Sequence, residues 1–101
     1  MAAYAIVDLH ILDVAEFLDY QRELAPLLAD VGARYLARGG EFEVLAGNMH
    51  PERLMLMEFP SMDDLRGFYT SNRYQALEAK RAACARVCVI AVNGLPETGA
   101  A

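Results

Sequence analysis

The sequence predicts an α+β fold, a four-stranded antiparallel sheet with helices on one face in the order β-α-β-β-α-β. Three observations predict it. Short apolar runs of strand character alternate with stretches of helical periodicity. Cap and breaker residues stand where one period gives way to the other. Finally, the strand-like runs are apolar on both faces: Arg53-Leu54-Met55-Leu56-Met57-Glu58-Phe59 and Arg86-Val87-Cys88-Val89-Ile90-Ala91-Val92 show no alternation, and Ala5-Ile6-Val7-Asp8-Leu9 almost none. A half-solvated sheet alternates with period two, whereas a sheet covered on both faces reads as a continuous apolar run. The chain has too few helices to cover two faces, so the second face is expected to meet another copy of the chain.

The elements follow in order. Tyr4 to His10 is the first strand. Asp13 with Glu16 three residues on forms a capping box. Phe17, Tyr20, Leu24, Leu27, Leu28 and Val31 then recur at helical spacing. Pro26 should kink that helix, because it removes an amide donor and crowds the preceding turn. Gly32 is the terminator. Arg34 to Arg38 is the second strand, broken or bulged at Gly39-Gly40, with Phe42, Val44 and Leu45 continuing an extended segment. Gly47 to Pro51 is a loop by composition. Arg53 to Phe59 is the third strand, stopped by Pro60. Ser61 caps a short helix with Asp63 and Asp64 near its positive end, and Leu65, Phe68 and Tyr69 form its buried stripe. Ser71-Asn72 marks a break. Tyr74, Leu77 and Arg81 share one side of a further helical segment that runs to about Ala83. Arg86 to Val92 is the fourth strand.

This is the split ferredoxin-like pattern. Residues 1–95 form a single domain, and 96–101 are expected to be a flexible tail. Both helices pack on one face, leaving the other bare in a monomer. Burying about 600 Å² of apolar surface per subunit there would contribute on the order of 15 kcal/mol before association costs. The homodimer is expected to form through that helix-free face.

Composition excludes several classes. A net charge of −5 without a Lys/Arg cluster argues against nucleic acid. No apolar run reaches the ~20 residues of a membrane span, and the N-terminus does not read as a signal peptide. A cytoplasmic location is expected, with Cys84 and Cys88 reduced. As residues of one strand these cysteines would stand about 13 Å apart, too far for a disulfide, and they read as small buried apolar side chains. His10 and His50 are isolated, so neither metal nor haem is expected, and no cofactor is implied.

Three stretches carry a family resemblance: Arg34-Tyr35-Leu36-Ala37-Arg38-Gly39-Gly40, then Pro51 to Ser61, then Tyr69-Thr70-Ser71-Asn72-Arg73-Tyr74-Gln75, with Tyr20 and Pro26 fitting as well. In these the chain resembles the domain of unknown function 1330 family, within the dimeric α/β-barrel superfamily, over about residues 3 to 94. The resemblance implies the fold and the dimer. It implies no single activity: the wider superfamily includes cofactor-free monooxygenases, lactone isomerases, haem enzymes and proteins without known catalysis.

The candidate site residues come from position. The ferredoxin-like topology is expected to place the first and third strands side by side and parallel, so that their C-terminal ends meet at one edge. Asp8 and His10 would then stand beside Glu58, a carboxylate pair with a His suited to acid/base work. The alternative is that Glu58 pairs with Arg34 or Arg38 while Asp8 and His10 are exposed at a strand end. Arg38 before two glycines could hold a carboxylate; the alternative there is a bulge and a salt bridge. The segment lacks the pattern of a phosphate loop. Tyr20 and Tyr69 could line a pocket between helices and sheet, or be core residues with hydroxyls at its rim. The expected function is binding of a small carboxylate- or carbonyl-bearing molecule. Glu58 and His10 are the catalytic candidates, and Arg38, Asp8, Tyr20 and Tyr69 the binding ones. A pocketless dimerisation module and a cofactor-free monooxygenase are the alternatives.

Overall fold

Strand β1 (Ala3–Ile11) sets the division of the molecule. Its residues alternate, with Ala3, Ala5, Val7 and Leu9 buried, and Tyr4, Ile6, Asp8 and His10 on the other face. The computed structural model describes residues 1–96, so the expected tail lies almost wholly outside the described residues. After β1 come α1 (Val14–Asp30), β2 (Arg34–Arg38), β3 (Leu54–Phe59), α2 (Met62–Thr70), α3 (Asn72–Cys84) and β4 (Ala85–Asn93). The strands form one antiparallel sheet in the order β2-β3-β1-β4, with the helices against one face, a ferredoxin-like fold.

Local signals set the boundaries. Asp13 caps α1, its Oδ1 accepting the Glu16 amide at 3.0 Å. The helix runs unbroken through Pro26 and ends where Gly32 turns left-handed at φ +74°. Ser61 Oγ accepts the Asp64 amide at 3.0 Å to start α2. Ser71 does two jobs. Its hydroxyl donates to the Phe68 carbonyl at 2.7 Å, closing α2, and accepts the Tyr74 amide at 3.1 Å, opening α3.

The register overturns one premise. β1 pairs antiparallel with β3, Tyr4 facing Glu58 and Asp8 facing Leu54. The helical crossover α1 keeps β2 parallel to β1. The return from β2 reverses the chain, so β3 must oppose both. Glu58 and His10 therefore end up six residues apart along the strands, roughly 20 Å. The acid/base edge that parallel strands would build does not form.

Two further expectations need correction. The segment after Arg38 does not continue as a strand; Phe42, Val44 and Leu45 lie exposed outside the sheet. Only Cys84 is a buried thiol. Cys88 is exposed on the helix-free face, opposite Asp8 of β1.

The core fills the space between sheet and helices. Phe59 and Cys84 are its largest fully buried side chains, and Phe59 meets Phe68 at 5.6 Å between ring centroids. The opposite face presents Ile6, Leu54, Leu56, Cys88, Ile90 and Val92, with Ile90 64% exposed and Val92 48%. This alternation sorts β1 and β3 into a covered and an uncovered side.

Candidate functional site

A tyrosine cluster occupies the space between the helices and the sheet. The break at Ser71 puts Tyr69 at the end of α2 and Tyr74 at the start of α3, their rings edge to face at 5.0 Å. Phe68 stands 5.0 Å from each. Tyr20 comes from the buried stripe of α1, and Tyr35 from β2, opposite Met57. Together with Met55 and Met57 these side chains wall a cavity of about 50 Å³, and Gln21 and Arg81 supply its polar lining.

Burial governs the chemistry of these phenols. Desolvation pushes Tyr20 up to about 12, and likewise raises Tyr35, Tyr69 and Tyr74 above the ordinary phenol value. All four stay protonated at any physiological pH. A hydrogen-bond chain leads outward from the cluster. Tyr74 bonds to the Glu78 carboxylate, so its hydroxyl must donate there. A hydrogen bond with Tyr74 offsets part of the effect of burial on Tyr20. Burial alone would raise the Glu78 carboxyl, but the bonds from Arg81 and Tyr74 hold it below its ordinary range. Arg81 Nη2 reaches Glu78 at 2.8 Å, and Nη1 donates to the Ala85 carbonyl at 2.9 Å. Arg81 Nε is buried and has no hydrogen-bond partner among the described residues.

Next to the cavity lies a recess of about 270 Å³ carrying Arg38 and Arg53. Phe17, Gln21 and Met55 line both spaces, so the two are neighbours across these side chains. Arg38 reaches the recess through a register shift. Between Tyr35 and Ala37 the pairing of β2 with β3 slips by one residue, and Leu36 forms the bulge. Tyr35 and Arg38 consequently share the helix-side face, with the guanidinium 4.5 Å above the phenol ring. Gly39, at φ +67°, donates its amide to the Leu54 carbonyl at 2.8 Å. A Cβ at Gly39 would stand 3.3 Å from the Arg53 stem, so this glycine makes room for the second arginine. Neither guanidinium is paired with a carboxylate among the described residues.

The remaining candidates lie elsewhere. Glu58 Oε1 accepts from Arg34 Nε at 2.8 Å, the structural pairing that the sequence left as an alternative. Asp8 and His10 sit on the helix-free face. His10 Nδ1 lies 2.6 Å from Glu52 Oε2, and the Glu52 amide donates to Asp8 Oδ1 at 3.0 Å. Of the predicted binding residues, Tyr20 and Tyr69 share the cavity and Arg38 lines the neighbouring recess, while Asp8 does not join them. Tyr35, Gln21 and Arg53 escaped the sequence reading. The bulge brings Tyr35 and Arg38 together, and Arg53 looked like the start of a strand. Among the described residues, no group of three or more His, Cys, Asp or Glu side chains is arranged to hold a metal. No helix there is long and apolar enough to cross a membrane.

Solved structures show the same fold at low sequence identity. The RPA0582 protein of unknown function from Rhodopseudomonas palustris superposes with a TM-score of 0.74 at 15% identity, covering 94% of this chain and 83% of that one. A dimeric ferredoxin-like protein of unknown function from Jannaschia sp. CCS1 gives 0.67 at 13%, covering 93% and 100%. SnoaB, a cofactor-independent oxygenase from Streptomyces nogalater, gives 0.62 at 9%, covering 97% of both. No curated protein matches by sequence. The family model for a domain of unknown function, DUF1330, matches residues 2–95, nearly the whole chain, and the protein belongs to that family.

Proposed function

We propose that this chain is a homodimer that binds a small organic molecule bearing a carboxylate or carbonyl group. The body of the ligand occupies the tyrosine-walled cavity, and its anionic end meets Arg38 and Arg53 in the adjoining recess. The observation that carries this reading is that Phe17, Gln21 and Met55 line both spaces, which sets the apolar chamber beside the arginine-lined recess. An apolar chamber beside two guanidiniums that have no carboxylate partner among the described residues suits an apolar acid, since Arg takes a carboxylate through paired hydrogen bonds. Tyr20, Tyr69 and Arg38 are the contacts. Glu58, His10 and Asp8 fall outside this reading, because none of them lines either space.

The dimer is supported by the apolar helix-free face, where Ile6, Ile90 and Val92 are exposed. A monomer would leave this patch in water. The Jannaschia protein's own description as dimeric is consistent with it. A cofactor-independent oxygenase is the second reading, favoured by the largely apolar cavity and by the likeness to SnoaB.

Native mass spectrometry of the purified chain tests the dimer. Titration with benzoate, followed by ligand-observed NMR, tests the site. Arg38→Ala and Arg53→Ala are each expected to weaken benzoate about tenfold without altering assembly. Benzoate affinity unchanged by both substitutions would remove the assignment. A monomer would remove the face-to-face sheet. A dimer that takes no ligand would leave the pocketless module. Oxygen consumption with an electron-rich phenol would favour the oxygenase.

A further inference from the structure

Most cations of this chain find a carboxylate, as 14 acidic residues against 9 basic ones allow. Arg22, Arg34, Arg66, Arg73, Lys80 and Arg81 each have an Asp or Glu oxygen within 3.8 Å. Among the described residues Arg38 and Arg53 have none, and both line the recess of about 270 Å³. Arg86, also without a carboxylate partner there, stands opposite His10 and lines a different recess. Both recess arginines are braced. Arg38 lies 4.5 Å from the centre of the Tyr35 ring. Arg53 packs where a side chain on Gly39 would stand, its stem 3.3 Å and its Nη1 3.4 Å from that position. The register puts the two on one face. Arg38 pairs with Met55, and Arg53 precedes Met55 by two residues. The ladder reaches that far, since the Gly39 amide donates to the Leu54 carbonyl and the Leu9 amide to that of Arg53. Diagonal neighbours of this kind stand roughly 7–8 Å apart, within mutual reach for long side chains.

We propose that this recess is a site for a dicarboxylic acid with an apolar body, each arginine taking one carboxylate. Three features define the class. Two full positive charges line the recess and no acidic side chain in its wall balances either, so a ligand that neutralises it carries two negative charges. The arginines are braced separately, one on Tyr35 and one against Gly39, which suits two anionic groups held apart, each bound through paired hydrogen bonds. The rest of the wall is Ile11, Val14, Phe17, Leu18 and Met55 with the single amide of Gln21, a lining for a carbon skeleton. The inference rests on the proposed reading of the recess as the anionic end of the ligand site, and it narrows the ligand from an acid to a diacid. A net charge of −5 repels a dianion at long range, so selection for one has to arise in the recess itself.

The test titrates the full chain with isophthalate and with 3-carbamoylbenzoate, which has the same shape but carries a neutral amide in place of one carboxylate. Benzoate serves as the probe of the recess as such, and phenyl phosphate as a dianion whose charge sits on one group. At neutral pH and fixed ionic strength, isophthalate is expected to bind about tenfold more tightly than 3-carbamoylbenzoate, the worth of one further charged contact. Arg38→Ala and Arg53→Ala should each abolish that preference, because either leaves one carboxylate without its guanidinium. If a variant does not fold, the wild-type preference and the other variant decide. Equal binding of isophthalate and 3-carbamoylbenzoate overturns the inference, as does a preference that survives both substitutions. Phenyl phosphate bound more tightly than isophthalate overturns it in favour of a single doubly charged group. Binding of benzoate with rejection of isophthalate overturns it while leaving the recess as a site for monoacids. Rejection of all four probes removes the ligand site as well.

Discussion

Tyr20→Phe is expected to remove a loss of stability that the wild-type chain suffers in alkali. In the folded chain the Tyr20 phenol is pushed up to about 12 by burial, against 10.0 for a free phenol. The unfolded chain therefore releases this proton first. Stability from Tyr20 is fully present below pH 10, and it is lost as pH rises through the folded value. The difference is 12 − 10 = 2 units, and at ~1.36 kcal/mol per unit this amounts to about 3 kcal/mol. Tyr20 is only 6% exposed, so solvent screening takes little from that figure. Tyr69 and Tyr74 are raised by the same cause and steepen the fall in the same direction. Urea midpoints measured from about pH 9 to about pH 11.5 should drop steeply for the wild type and less steeply for Tyr20→Phe, the slopes differing by up to one proton. The chain contains five tyrosines and no tryptophan, so tyrosinate absorbance follows ionisation directly. Parallel stability curves for the two proteins, or complete ionisation of the native chain at the free-phenol midpoint, would refute the buried cluster.

Other perturbations have equally definite outcomes. Phe59→Ala removes a fully buried ring packed on Phe68 and should cost about 3–5 kcal/mol in chemical denaturation. Gly94→Ala would put a Cβ 2.8 Å from Tyr4 Cε2 and 2.9 Å from the Ala2 carbonyl oxygen. It should destabilise the edge between β1 and β4 by about 1–3 kcal/mol, visible as faster hydrogen exchange at Gly94, whose amide donates to Ala2. Ile90→Asp places a charge at an exposed apolar position of the helix-free face and should yield a folded monomer by native mass spectrometry and sizing.

Much of this architecture was legible because it is local. Asp13, Ser61 and Ser71 announce their helices through side chains that meet amides three residues on, a relation written in the sequence itself. The apolar runs named the strands for similar reasons. The relation of β1 to β3 was not local. It depends on how a helical crossover and a chain reversal combine, and misjudging that direction joined His10 to Glu58 across roughly 20 Å. Helical spacing and the glycine pair pointed to Tyr20, Tyr69 and Arg38, of which the first two line the cavity and the third the neighbouring recess. Tyr35 and Arg53 were missed for lack of such a signal. The pairing slip beside Tyr35 occurs at Leu36, three positions before the first glycine, where nothing in the residue type suggests it.

The slip at Leu36 has a bearing on how length changes act along this edge. Two residues three apart on a regular strand look to opposite sides, and Arg38 would then face away from Tyr35. The extra residue restores the parity that unites them. Deleting Leu36 outright would leave the same parity in a straighter strand and keep Arg38 beside the recess. Straightening the bulge at constant length would instead swing Arg38 round toward the face of Arg34 and Glu58. At this point of the chain, counting residues governs the arginine's side more than their identity does. A bulge-free strand that superposes on β2 would therefore align with it only by leaving a one-residue gap opposite Leu36.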